Sequence, residues 1–340
     1  MNKLVKNIFE LYMNNAVELD YKISRKEYNI LKYHRINLLL PKISYPSLSK
    51  EKEKTFRKNL LFFNEMCIIT QLFNENSINH VFLKGASLIL ETYNSFESRK
   101  FSDIDILIEE NDLTKAEKIL LDLGYIYGYE NKGRIKQARH DDIIYQRLHT
   151  HELHNMAKMV DKQSINIDIN FKFSWNGLKP SKLGLNGFGD DIKYIKKCGY
   201  TFPVFDNEVQ FLHLCLHFYN EAIFFLLDNS YDIGDDPQEI MLFRLLDILL
   251  VIKSGVDIEK IYILSQKTMC INKIEYVLYI IYYIMGDKYV KDFLLYFDIN
   301  KKEIDCIYDK GGRVIKWPIN LYQRLYDPES KIEALSYMLK

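Results

Sequence analysis

Val81-Phe82-Leu83-Lys84-Gly85-Ala86-Ser87, followed by Phe101-Ser102-Asp103-Ile104-Asp105-Ile106-Leu107-Ile108, decides how this chain is read. A short apolar run breaks at Lys-Gly, a helical stretch follows, and a second apolar run carries two acids one residue apart. Side chains alternate faces along a strand, so Asp103 and Asp105 project from one side while Ile104, Ile106 and Ile108 point into a core. Adjacent carboxylates repel each other unless a cation lies between them, and oxygen-rich sites with open positions suit Mg²⁺. A glycine-bearing turn that enters a helix N-terminus offers backbone N–H groups to a phosphate. Together the two runs describe a site for a metal and a nucleotide.

Further along, Ser164-Ile165-Asn166-Ile167-Asp168-Ile169-Asn170-Phe171-Lys172-Phe173 alternates again, with isoleucine and phenylalanine on one face and Asn166, Asp168, Asn170 and Lys172 on the other. Asp168 would lie beside Asp103 and Asp105 if these strands are neighbours. Lys84 and Arg99 flank the site in sequence and add positive charge suited to the β and γ phosphates.

These residues carry a resemblance. Gly85-Ala86-Ser87 followed by Asp103-Ile104-Asp105 resembles the nucleotidyltransferase superfamily that includes DNA polymerase beta. Leu83-Lys84-Gly85, Arg99 before Ser102-Asp103-Ile104-Asp105-Ile106-Leu107, and Leu123-Gly124-Tyr125 are similar to a mostly uncharacterised bacterial branch. The likeness continues through Ile167-Asp168-Ile169 and Phe243-Arg244-Leu245-Leu246-Asp247, covering roughly residues 50 to 285. It implies an α/β core with a mixed sheet, in which Asp103, Asp105 and Asp168 hold Mg²⁺, or Mn²⁺ in its place. Asp168 would also draw the proton from an attacking hydroxyl, while Lys84, Gly85, Ser87 and Arg99 bind the nucleotide. One departure matters: Ala86 stands where the superfamily places the second residue of a Gly-Gly or Gly-Ser pair. Phosphate anchoring therefore rests on backbone more than on the Ser87 hydroxyl.

At 340 residues the chain is long enough for separate cores. The expected order is an N-terminal helical segment over 1–77, a nucleotidyltransferase core over 78–176, a Gly-rich linker or lid over 177–205, and an all-helical domain over 206–340. Within the core the patterning predicts strands at 81–83, 101–108, 126–129, 143–148, 151–159 and 165–173, with helices at 86–93 and 113–123. The first 77 residues read as three helices, broken near Pro41 and Pro46.

Composition narrows the function. Lys+Arg and Asp+Glu both total 46, a net charge of +0 that argues against long nucleic acid as partner. The resemblance implies a reaction that moves a nucleoside monophosphate from a nucleoside triphosphate, and the neutral charge favours a small molecule or a protein as acceptor. The competing reading is a catalytically silent nucleotide- or partner-binding module on the same fold. The five cysteines are scattered and include no Cys-x-x-Cys pair, which suits reduced thiols in a cytoplasm. The apolar runs at 211–227 and 242–252 contain His213, His217, Glu221, Arg244 and Asp247 and read as buried helices, with no membrane span. His149-Thr150-His151-Glu152-Leu153-His154 fails the zinc-protease template, because Asn155 stands where the second histidine is required. Whether His149, His151, His213 or His217 serves the site stays open at this level, as do the acceptor, the preferred base and the oligomeric state. The abundance of Lys, Ile, Asn and Tyr suggests an AT-rich bacterial genome.

Overall fold

Among the described residues the first 77 carry the three α-helices expected: α1 (Asn2–Met13), α2 (Arg25–Tyr33) and α3 (Leu48–Glu75). In α1 the buried Leu4, Val5, Ile8, Phe9 and Met13 recur at helical spacing. A capping box opens α2, where the Ser24 hydroxyl accepts from the Glu27 N–H and the Glu27 carboxylate accepts from the Ser24 N–H. The computed structural model describes residues 1–15, 22–173, 175–176, 179–180, 183–223, 240–299, 304–308 and 313–338. It divides the chain into two units, one of residues 50–210 and one of residues 1–49 with 211–340.

The 50–210 unit is built on a mixed sheet. Its strands are β1 (His80–Phe82), β2 (Asp103–Ile108), β3 (Ile126–Asn131), β4 (Arg134–Gln137), β5 (Met156–Val160), β6 (Gln163–Asn170), β9 (Ile192–Lys197) and β10 (Tyr200–Phe205). A separate two-residue pair, β7 (Trp175–Asn176) and β8 (Lys179–Pro180), precedes β9. The order across the sheet is β4-β3-β5-β6-β2-β1-β10-β9, with β2/β6 and β1/β10 parallel and the other neighbours antiparallel. Three hairpins close on two-residue turns in which both residues have positive φ: Lys132-Gly133, Asp161-Lys162 and Cys198-Gly199. Such turns match the twist of the strands they join.

Helix α3 covers the isoleucine side of this sheet. Phe63 meets Phe202 with ring centroids 5.6 Å apart, and Phe73 meets His80 at 5.2 Å. The buried Glu65 on the same helix accepts from the Tyr125 hydroxyl at 2.7 Å and pairs with Lys158 at 2.6 Å. Helix α4 (Lys84–Glu91) follows β1 directly, α5 (Leu113–Asp122) follows β2, and Gly124 at φ +85° turns the chain after α5.

Several expectations are corrected here. Residues 143–148 are not a strand but part of α6 (His140–His149), whose first turn carries Asp141 and Asp142 and whose last carries Arg147 and His149, charges that favour a helix at those ends. The strand expected over 151–159 is confined to β5, preceded by a single bridge between Glu152 and Asn170. Residues 192–205 are not part of a linker or lid: β9 and β10 form a hairpin in the main sheet, while 177–178 and 181–182 lie outside the described residues. The N-terminal segment divides, because α3 is needed to cover the sheet whereas residues 1–49 join the C-terminal unit.

That second unit adds α7 (Asn207–Ile223) from residue 211 onward, α8 (Leu242–Lys253), α9 (Ile258–Lys267), α10 (Ile271–Met285), α11 (Leu321–Tyr326) and α12 (Pro328–Met338). It is not wholly helical, since β11 (Cys306–Tyr308) and β12 (Val314–Lys316) pair as a small hairpin; Gly311 and Gly312 lie outside the described residues. His34 is fully buried there, with Nε2 on the Leu325 carbonyl and Nδ1 accepting from the Leu242 N–H at 3.4 Å. His217 and Arg244 both approach Glu221, at 4.0 and 3.5 Å. No helix among the described residues is long and apolar enough to cross a membrane.

Candidate active site

Strand β2 buries Ile104, Ile106 and Ile108, which turns Asp103 and Asp105 to the opposite face. Parallel pairing with β6 then sets Asp103 across from Asn166 and Asp105 across from Asp168. In-register neighbours share a sheet face, so the three acids named from sequence lie together on one side of the sheet. The bridge to Asn170 adds Glu152 to that same face. Sequence reasoning named Glu152 only within a failed zinc template; its one signal was its place just before the apolar Leu153, in a segment that can pair with β6.

Lys84 faces these acids from the β1–α4 junction. Its backbone is left-handed, at φ +47°, and the neighbouring Leu83 N–H donates to the Asp105 carbonyl at 3.0 Å. From there the ammonium reaches Asp105 Oδ1 at 2.7 Å, a contact that is 3% exposed on the aspartate side. Asn155 donates to Asp168 Oδ1 at 2.7 Å, and Gln146 of α6 donates to Glu152 Oε1 at 3.3 Å. Neither amide was anticipated.

Four carboxylates thus gather around one ammonium, and the proton affinities of Asp105, Asp168 and Glu152 reflect it. Desolvation pushes Asp105 up to about 7, opposed by Lys84 and reinforced by Asp103 and Asp168. Desolvation likewise raises Asp168 to about 7, with repulsion from Asp103 and Glu152. Glu152 rises to about 7 for the same leading reason, with Lys84 opposing and Asp105 and Asp103 adding. Burial alone would lower Lys84, but attraction to Asp105 and Asp103 outweighs it and holds the ammonium charged. His151 is drawn down to about 4 by desolvation and by the positive charges of Lys84 and Lys172.

The glycine turn is propped from within. A Cβ on Gly85 would lie 2.4 Å from Arg99 Nη1 and 2.9 Å from Phe101 Cβ, so the buried guanidinium rests against bare backbone. Asn59 donates to the Arg99 carbonyl at 2.6 Å, and the guanidinium carbon lies 5.9 Å from the centre of the Tyr93 ring. Ser87 is 2% exposed and its hydroxyl donates to the Lys84 carbonyl at 3.0 Å. That bond fastens the turn and commits the hydroxyl to it.

Among the described residues, no group of three or more His, Cys, Asp or Glu side chains already stands in metal-holding geometry, the histidines at 149, 151 and 154 included. The donor set itself fits a divalent cation, because hard carboxylate oxygens outnumber the positive charges beside them and are desolvated. Among curated proteins none matches the chain. The family described as uncharacterised nucleotidyltransferase matches residues 22–273, which takes in β1, β2, β6 and every residue of the site. A match over that much of the chain shows that the protein belongs to this nucleotidyltransferase family.

Proposed function

We propose that the chain transfers a nucleoside monophosphate from a nucleoside triphosphate to a hydroxyl of a small molecule or a protein side chain. The acceptor oxygen bonds to the α phosphorus, the bond from that phosphorus to the bridging oxygen breaks, and pyrophosphate leaves. The observation that supports this reading best is the register of β2 and β6, which sets Asp105 beside Asp168 with Asp103 one step away, on a sheet whose next strand leads into the Lys84-Gly85 turn.

Asp103, Asp105 and Asp168 would hold Mg²⁺ or Mn²⁺, which neutralises charge on the phosphates and on the leaving oxygen when bound. The residues themselves do the rest. The N-terminus of α4 presents backbone N–H groups to phosphate oxygens, and the missing side chain of Gly85 leaves room for Arg99 to support that turn from within. Lys84 adds a mobile charge for the β and γ phosphates, and Arg99 lends its charge through the turn it supports. Asp168, positioned by Asn155, takes the proton of the attacking hydroxyl at its remaining oxygen. Five cysteines without a disulfide suit a reducing cytoplasm, and the residue usage suits a bacterial source.

The test is incubation of the protein with each α-³²P-labelled triphosphate, Mg²⁺ and a host lysate, followed by detection of labelled adduct and of pyrophosphate. Asp103→Asn and Asp105→Asn should each abolish both signals while leaving the fold intact. Transfer at the native rate by either variant would remove the assignment.

A further inference from the structure

Lys84 holds a place that the proposed reaction needs for something else. Its ammonium contacts Asp105 Oδ1 at 2.7 Å, on the carboxylate that sits between Asp103 along its own strand and Asp168 across the sheet. Nothing about that contact is a loose surface encounter. The Leu83 N–H to Asp105 carbonyl bond ties the turn to the very residue the lysine faces, and the Ser87 hydroxyl holds the Lys84 carbonyl. Arg99 and Phe101 crowd Gly85, so the backbone after Lys84 has no room to relax by accepting a side chain. Lys84 keeps a left-handed conformation that a non-glycine residue adopts only where its surroundings hold it.

Resting on the nucleotidyl-transfer reading, we infer that Lys84 is a resident counter-ion of Asp105, which a divalent cation must displace, so that metal enters the site with the triphosphate and not ahead of it. A free cation gains the carboxylates only by expelling an ammonium already in contact and leaving it near the new charge. A triphosphate changes both sides of that exchange. It brings the cation already partly coordinated, and it offers the ammonium phosphate oxygens in place of the carboxylate it gives up. The flexible four-carbon stem of lysine can make this move while the turn stays fixed. The same residue thus guards the acids and then serves the nucleotide.

Mn²⁺ bound to the protein, read from the enhancement of water-proton relaxation, tests this without turnover. The native protein should bind Mn²⁺ at least about 10-fold more tightly in the presence of a non-hydrolysable triphosphate than in its absence. Lys84→Met, close in volume but uncharged, should bind free Mn²⁺ at least about 10-fold more tightly than native, and Lys84→Arg should stay near native. Native protein that takes up free Mn²⁺ as tightly without triphosphate as with it would overturn the inference and leave the metal site standing. No gain in free-Mn²⁺ affinity for a folded Lys84→Met would also overturn it. The native comparison decides the matter if that variant does not fold. Absence of Mn²⁺ binding with or without triphosphate would overturn the transfer reading and the inference together.

Discussion

Asn155 donates its side-chain amide to Asp168 Oδ1 over 2.7 Å, from the residue immediately before β5 to the middle of β6. The bond occupies one oxygen of the carboxylate and so decides where the other points. A position that a zinc template leaves as a mismatch is, in the folded chain, the support of the third acid.

Asn155→Ala should therefore lower kcat/KM about 10- to 100-fold, the usual range for losing an outer support of a ligating carboxylate. Pyrophosphate release at saturating triphosphate checks it. The Michaelis constant for triphosphate should change far less than kcat, and an unchanged kcat would remove the positioning role.

Glu152 gives a prediction about pH. Its proton affinity in the folded chain is raised from 4.5 to about 7, by desolvation first and by Asp105 and Asp103 against Lys84. A raised value means that the folded chain favours the protonated acid. Its contribution to stability is full below about pH 4.5 and is lost as pH rises through about 7. Glu152→Gln should then raise Tm at pH 8 by roughly 2–4 °C, the shift expected for about 1 kcal/mol in a domain of this size, and change it little at pH 4. Scanning calorimetry at the two pH values measures the difference, and Mg²⁺ with triphosphate should narrow it at pH 8.

Gly85→Ala should destabilise the 50–210 unit by about 1–3 kcal/mol, because the new methyl meets both Arg99 Nη1 and Phe101 Cβ below contact distance. The end of the arginine can move; the Phe101 Cβ cannot without the strand. Urea melts of Gly85→Ala and of Gly85→Ala with Arg99→Met separate the two contacts, and the double variant should regain only part of the loss. Full native stability in the single variant would show that the turn is not packed as described.

His34 predicts the opposite pH slope. Burial lowers its proton affinity from 6.5 to about 3, with the Leu325 carbonyl opposing and Lys331 adding. The neutral ring uses Nε2–H as donor and Nδ1 as acceptor, and protonation would set a second donor against the Leu242 N–H. Its stabilising share is present above about pH 6.5 and drains away as pH falls toward 3. Between about pH 4.5 and 6.5 this opposes the Glu152 effect, so the useful quantity is the difference in Tm between native protein and His34→Gln. That difference should shrink on acidification, and a difference independent of pH would contradict the buried neutral ring.

How much of this was legible in the residues depends on how local each signal is. The alternation of β2 and β6 placed Asp103, Asp105 and Asp168 correctly, since a period of two is carried by the strand itself. Their register is a property of two strands, and only folding supplies it. Helix α6 was misread because Ile143 and Ile144 suggest a strand, although Ile144 and Leu148 already stand one helical turn apart and Asp141, Asp142 and Arg147 match the helix ends. The β9–β10 hairpin was hidden by the glycines before it, yet Cys198-Gly199 is a turn of the two-residue type. Glu152 was the least legible, because its place before Leu153 is a faint signal and one bridge to Asn170 is what brings it to the site.

Asp105 and Asp168 are 63 positions apart in the chain, and the β3–β4 hairpin, α6 and β5 are all made between them. A ribosome must release that whole stretch before the parallel ladder can zip. During synthesis the growing polypeptide therefore makes its glycine bend early, and the three acids come together only when β6 docks. The long detour between the two strands works as a built-in delay, so that the acidic face is assembled only once residue 168 is free to pair.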